Sequence, residues 1–99
     1  VGHGFRFALQ SAPQDQQQWL GIARRAEQLG YSTLMMPDGL QLPSPMPALA
    51  IAAGATTSLH VGTWVLASPL RAPRLAAWDA HSLSLLSGDR FELGIGTGR

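Results

Sequence analysis

The residues able to do chemistry in this chain of 99 residues fall into a few short stretches. Gly94, Gly96 and Gly98 alternate at the end of an apolar run, in FELGIGTGR. Such glycines let backbone approach a ligand closely, but a phosphate cradle also needs a helix N-terminus behind it. The spacing differs from the dinucleotide fingerprint GxGxxG, because the third glycine comes one residue early. Close approach to a flat ring and a plain loop are the other readings. Asp38, in Pro37-Asp38-Gly39, can accept a hydrogen bond from a ligand or serve as an ordinary turn aspartate. Arg71 and Arg74 flank a later loop, where they can hold an anion or simply face water. His3, His60 and His81 lack metal-ligand spacing and cysteine is absent, so no metal site is expected. Nucleophile elbow, P-loop and a usefully spaced carboxylate pair are all missing.

The elements that must position these residues can be read from hydrophobic period and turn chemistry. Residues 5–9 have strand character. Asp15 can cap a helix, with Gln18 completing a capping box. Trp19, Ile22, Ala23, Ala26 and Leu29 form one helical face, and Gly30 stops it. Residues 31–36 are a second strand, ended by Pro37-Asp38-Gly39. Ser44 can cap a second helix with Pro45 at its first position, and the alanine-rich run 48–55 continues it. A third strand spans 61–67. Pro73 can open a third helix, with one stripe of Ala76, Ala80, Leu83 and Leu86 and another of Leu75, Trp78, Ser82 and Leu85. Gly88-Asp89 ends it, and residues 91–95 are a fourth strand. The order β-α-β-α-β-α-β implies a parallel sheet with right-handed crossovers. An open doubly wound sheet and a (β/α)8 TIM barrel compete, and a barrel needs about 250 residues. As a barrel, residues 1–99 make one partial domain, the N-terminal half with four strands and three helices. In both architectures ligands meet the C-terminal strand tips. Those tips are Gln10-Ser11, Pro37-Asp38-Gly39, Ala67-Ser68-Pro69 and Gly96-Thr97-Gly98-Arg99.

Composition narrows the function classes. Hydrophobic residues make up 45% and charged residues only 13%, which suits a packed domain. All the basic residues are scattered arginines and the net charge is +1, so nucleic-acid binding is not expected. The chain has no apolar run near the roughly 18 residues of a membrane span and no signal segment, and the lack of cysteine fits a cytoplasmic protein.

Three stretches read together say more. ARRAEQLGYSTLMMPDGL, ALAIAAGATTSLHVGTWVL and LSLLSGDRFELGIGTGR resemble the bacterial luciferase-like monooxygenase family, which includes oxidoreductases dependent on the deazaflavin coenzyme F-420. The resemblance runs over residues 5–99, and Ala26-Glu27-Gln28-Leu29-Gly30-Tyr31 and Leu86-Ser87-Gly88-Asp89-Arg90-Phe91 are its most specific parts. It implies a (β/α)8 barrel with a reduced flavin or deazaflavin at the C-terminal mouth. It also implies a bulge in the third strand, often with a cis non-proline peptide, behind the ring; this maps to Trp64–Val65. Asp38 and Gly39 match the second strand tip, and Gly96 and Thr97 the fourth. The cofactor-side residues implied are therefore Asp38, Gly39, Trp64, Val65, Gly96 and Thr97, and Arg71 and Arg99 are candidates for an anionic substrate. Many relatives carry histidine where this chain has Gly39, and some sugar-phosphate dehydrogenases carry glutamate where it has Arg99. A guanidinium cannot act as an acid near neutral pH, so no catalytic residue is assigned.

The expected activity is hydride transfer between F-420 and an organic substrate. An FMN-dependent monooxygenase using O2 is the alternative. From a different class, a non-catalytic truncated fragment serving as an assembly module also fits Gly39 and the length. The resemblance implies homo-oligomers through the second and third helices, and pairing with a missing barrel half is the other expected partner. Alone, the fragment is expected to be inactive.

Overall fold

The computed structural model describes residues 7–96. Along the chain come β1 (Ala8–Gln10), α1 (Gln16–Gln28), β2 (Thr33–Met36), α2 (Pro45–Gly54), β3 (His60–Thr63) and β4 (Leu66–Ala67). A 3-10 turn (Ser68–Leu70), α3 (Pro73–Leu86), β5 (Phe91–Glu92) and β6 (Ile95–Gly96) complete it. β1, β2, β3 and β5 form one sheet in that order, with every pairing parallel. β4 and β6 form a separate parallel ribbon.

The local signals explain the helix ends. Asp15 Oδ1 accepts from the Gln18 N–H at 2.9 Å, and Gln18 Oε1 accepts from Gln14 N, one residue before the cap. At the other end Gly30 has φ +87°, and Tyr31 N donates to Ala26 O at 3.0 Å, the 6→1 bond of a Schellman stop. Pro45 and Pro73 open α2 and α3, each lacking the N–H that a first turn leaves unused. Ser44 takes the N-cap position of α2, but its side chain makes no capping bond. Leu86 departs from the expected buried stripe of α3: it is 83% exposed, and Ala76 and Leu83 are the buried members.

One buried cluster joins Trp19 and Ala23 of α1, Leu49 and Ala52 of α2, and Ala76 and Leu83 of α3 to Leu34, Met36 and Val61 of the sheet. The two-residue period of strands and the register Leu34↔Val61 put those sheet residues on one face. All three helices therefore cover the same face, as around a parallel barrel; a doubly wound sheet carries helices on both. The opposite face is polar in part: Glu92 Oε2 lies 2.9 Å from His60 Nδ1 and accepts from Thr33 Oγ1 at 3.4 Å. Trp19 is buried with its indole N–H donating to Ala48 O at 2.7 Å, which ties α1 to α2. Among the described residues no helix is long and apolar enough to cross a membrane.

Two charged side chains fasten the turn between α2 and β3. Glu27 Oε2 accepts from the backbone N–H groups of Thr57, Ser58 and Leu59 at 2.9, 2.6 and 2.9 Å. The Ser58 N–H contributes most to holding its carboxyl down at about 2, and burial only partly opposes it. Arg90 works from the other side. Its guanidinium donates to Ala53 O at 2.8 Å, Leu59 O at 3.0 Å, Thr56 Oγ1 at 3.1 Å and Ser87 O at 2.7 Å. The Glu27 bonds have a pH signature. A carboxyl held lower in the folded chain than in the unfolded one stabilises fully above the unfolded value, and the gain is lost as pH falls toward the folded value. The stability difference between the parent and Glu27→Gln is therefore expected to be full at pH 6, to shrink below pH 5 and to close near pH 2. Urea titrations across that range read it, and a difference that stays constant with pH refutes it.

Candidate functional site

The site forms at the C-terminal strand ends, where the third strand does not run straight. Residues 61–67 were expected as one strand, and the structure breaks them into β3 and β4 at Trp64 and Val65. The Trp64–Val65 peptide is cis, at the position the family resemblance implied. Before the break, Trp64 N donates to Met36 O at 2.9 Å, and after it Leu66 N donates to Gly94 O at 2.6 Å. Thr63 grips the next strand through its hydroxyl, which donates to Gly94 O at 2.8 Å and accepts from Gly94 N at 2.9 Å. The break turns Trp64 out at the rim, 60% exposed, beside a half-buried Val65.

This bend also explains two of the alternating glycines. A Cβ on Gly94 would lie 2.6 Å from Thr63 O, and a Cβ on Gly96 would lie 2.8 Å from Val65 Cγ2. The close approach that the sequence suggested is made by the neighbouring strand of the same chain. It splits the expected fourth strand, residues 91–95, into β5 and β6 in step with the third. Gly98, Thr97 and Arg99 lie outside the described residues.

Asp38 and Arg71 come together, although the sequence reading gave them separate roles. The Asp38 carboxylate is 2% exposed and the Arg71 side chain 21%. Asp38 Oδ2 accepts from Arg71 Nη1 and, at 2.8 Å, from Ala67 N; Oδ1 accepts from Arg71 Nη2 at 3.0 Å. Burial pushes the Asp38 carboxyl up, but the Arg71 guanidinium and the Ala67 N–H together hold it below the usual range. Arg71 is held above its ordinary value, chiefly by its bond to Asp38. The expected ligand roles of both residues thus meet an internal pairing, because opposite charges at adjacent strand tips neutralise each other. The signal was present in the sequence: one carboxylate and one guanidinium at the ends of neighbouring strands.

Gly39 lies next to Asp38, with the Gln41 amide beside it. A Cβ on Gly39 would sit 3.1 Å from Gln41 Oε1. At the strand tips stand an exposed Trp64 and a half-buried Val65, with a neutralised ion pair attached two residues further on, at Ala67. Such a surface suits the flat face of an aromatic ring system better than a phosphate, which calls for free N–H groups or an unpaired cation.

Comparison with known proteins follows the same line. An uncharacterized protein of Mycobacterium tuberculosis is 34% identical over 116 residues, covering 93% of this chain. The 4-hydroxyprotoasukamycin monooxygenase of Streptomyces nodosus subsp. asukaensis is 33% identical over 84 residues, covering 80% of this chain and 23% of the relative. In three dimensions the chain is similar to the coenzyme F-420 dependent tetrahydromethanopterin reductase of Methanopyrus kandleri, with a TM-score of 0.85 and 25% identity, over 92% of this chain and 26% of that one. The oxygenating constituent of 3,6-diketocamphane monooxygenase from Pseudomonas putida, solved with FMN, gives a TM-score of 0.83 at 21% identity, over 95% of this chain and 30% of that one. The chain spans 40% of the length of the mycobacterial relative. The luciferase-like monooxygenase family model matches residues 3–99. With parallel strands, the described helices all on one face and a break in the third strand at the mouth, the chain belongs to the luciferase-like monooxygenase family.

Proposed function

We propose that the mouth of this chain receives the ring of a reduced deazaflavin, coenzyme F-420, and that the protein transfers a hydride between it and an organic substrate. The observation that carries the reading is the break between β3 and β4, which leaves Trp64 exposed beside Val65 at the rim. The donor set fits such a group: Trp64 and Val65 are apolar, and the Asp38 and Arg71 charges at the strand ends cancel. When bound, the cofactor supplies the hydride chemistry, and the protein orients it and keeps water away. Trp64 and Val65 would back the ring, Gly96 would give Val65 the room it needs to do so, and Thr97, outside the described residues, is a further cofactor-side candidate. Arg99 would hold an anionic group of the substrate. The second reading, an FMN-dependent monooxygenase using O2, is favoured by the FMN found in one structural relative.

Titrating the chain with F-420 and with FMN, each to about 1 mM, tests both, since even a weak site binds in that range. Saturable binding of F-420 with a shift in its absorption is expected. Stronger binding of FMN selects the second reading. Binding of neither favours a non-catalytic assembly module. We also propose that α2 and α3 meet a second copy of the chain or the remaining strands of a barrel, because Leu75, Trp78 and Leu85 stand out on α3 at 54%, 67% and 70% exposure. A sedimentation mass of 10.5 kDa would remove self-association.

A further inference from the structure

Asp38 and Arg71 remain to be explained, because the Asp38 side chain is closed off and both oxygens of its carboxylate are bound to the Arg71 guanidinium. A carboxylate has about four acceptor positions on its two oxygens. Here the Ala67 N–H and two guanidinium N–H groups occupy three of them. With 2% of its side chain exposed, Asp38 has almost no surface left for a cofactor edge. A buried ion pair is a weak source of stability, since apolar residues of similar volume often serve as well. What the pair does instead follows from where it attaches. Asp38 takes the N–H of Ala67, and Arg71 Nη1 lies 3.4 Å from the carbonyl of the same residue. Ala67 ends β4, just past the bend at Trp64 and Val65.

The near end of the bend is already fixed by Trp64 N on Met36 O and by the Thr63 hydroxyl on Gly94. Leu66 N on Gly94 O fixes its middle. The far end is fixed by the Asp38–Arg71 pair. β2 and the turn that follows it therefore anchor the excursion of the third strand twice: through the Met36 carbonyl before it, and through the Asp38 side chain after it.

We propose that Asp38 and Arg71 form a positioning latch that sets how residues 64–67 leave the sheet, acting through the Ala67 backbone and without contact to the bound ring. The proposal rests on the reading of the mouth as a ring site. Arg71 is then a positioning residue and leaves anion binding to other groups.

The test compares the parent with Asp38→Asn, Arg71→Met and Arg71→Lys, using amide hydrogen exchange on the ligand-free chain. Asn keeps the shape of Asp38 but loses the charge and can accept at only one atom. In Asp38→Asn and Arg71→Met, exchange at Leu66 and Ala67 is expected to rise about ten-fold or more, with the amides of α1 unchanged, because local opening is separable from global unfolding. Arg71→Lys is expected to recover part of the protection, as a point charge that cannot span both carboxylate oxygens. Ring binding, measured where circular dichroism shows each variant fully folded, is expected to weaken about ten-fold in Asp38→Asn. Exchange within two-fold of the parent in both Asp38→Asn and Arg71→Met overturns the latch. So does loss of binding in Asp38→Asn with exchange at 66–67 unchanged, which would make Asp38 a direct ligand. If the parent binds neither F-420 nor FMN, the ring reading falls, and the exchange comparison alone still decides the latch.

Discussion

Replacing Arg90 by methionine is expected to lower the unfolding free energy by about 3 kcal/mol, a large part of the roughly 5–15 kcal/mol that a domain possesses. Its guanidinium serves the carbonyls of Ala53, Leu59 and Ser87 and the hydroxyl of Thr56. Hydrogen bonds to a charged group are worth about 1.5–3 kcal/mol each, and bonds that share one donor group do not add fully. Methionine keeps the apolar stem and removes every donor, so the Leu59 carbonyl just before β3 loses the guanidinium, and Ala53 O near the end of α2 keeps only its longer bonds from Thr56. Arg90→Lys should recover no more than about a third of the loss, because an ammonium cannot reach in three directions from a plane. Urea denaturation reads both variants through the midpoint at constant slope. A loss below about 1 kcal/mol for Arg90→Met would mean that water replaces the guanidinium at no great cost.

Gly94→Ala is the second large effect, and it bears on the site as well as on stability. The added methyl would lie 2.6 Å from Thr63 O, which is backbone and has no rotamer to escape into. Overpacking of this kind costs about 1–3 kcal/mol. The strain should be relieved by moving β5 and β6 away from β3, which opens both Thr63 hydroxyl bonds and the Leu66–Gly94 bond that hold the bend. Thermal unfolding should fall and ring binding should be lost at temperatures where the variant is still folded. Gly21→Ala is the control. That position lies within α1 with nothing within 4 Å of the new methyl, so it should gain about 1 kcal/mol from helix propensity and the restricted unfolded chain. If Gly94→Ala binds the ring as tightly as the parent, the close strand approach is not what shapes the mouth.

The alternation of strands and helices was legible because each boundary carries its own local chemistry. Asp15, Gly30, Pro45 and Pro73 act within a few residues of where they stand, and the structure uses each of them at the end of a helix. Residues 64 and 65 were harder. Val65 and Leu66 look like ordinary strand residues, and the break arises from hydrogen bonds to β2 and to Gly94, the latter about thirty positions away. Only the family resemblance marked it. The glycines at 94 and 96 were visible, but their partner was not: the neighbour they admit is the third strand, which no spacing rule names. Glu27 and Arg90 were part of the resemblance and were given no task, because the groups they hold are backbone amides and carbonyls whose positions exist only after folding.

The turn at residues 55–59 is gripped by an anion from α1 on its donors and by a cation from the far side of α3 on its acceptors. Neither grip is local, so neither exists until the first and the last βα units have docked on the same few peptide groups. Detaching either end of the molecule releases the middle at the same time. That couples the parts into a single cooperative unit, and it implies that circular dichroism and tryptophan fluorescence trace one common unfolding transition.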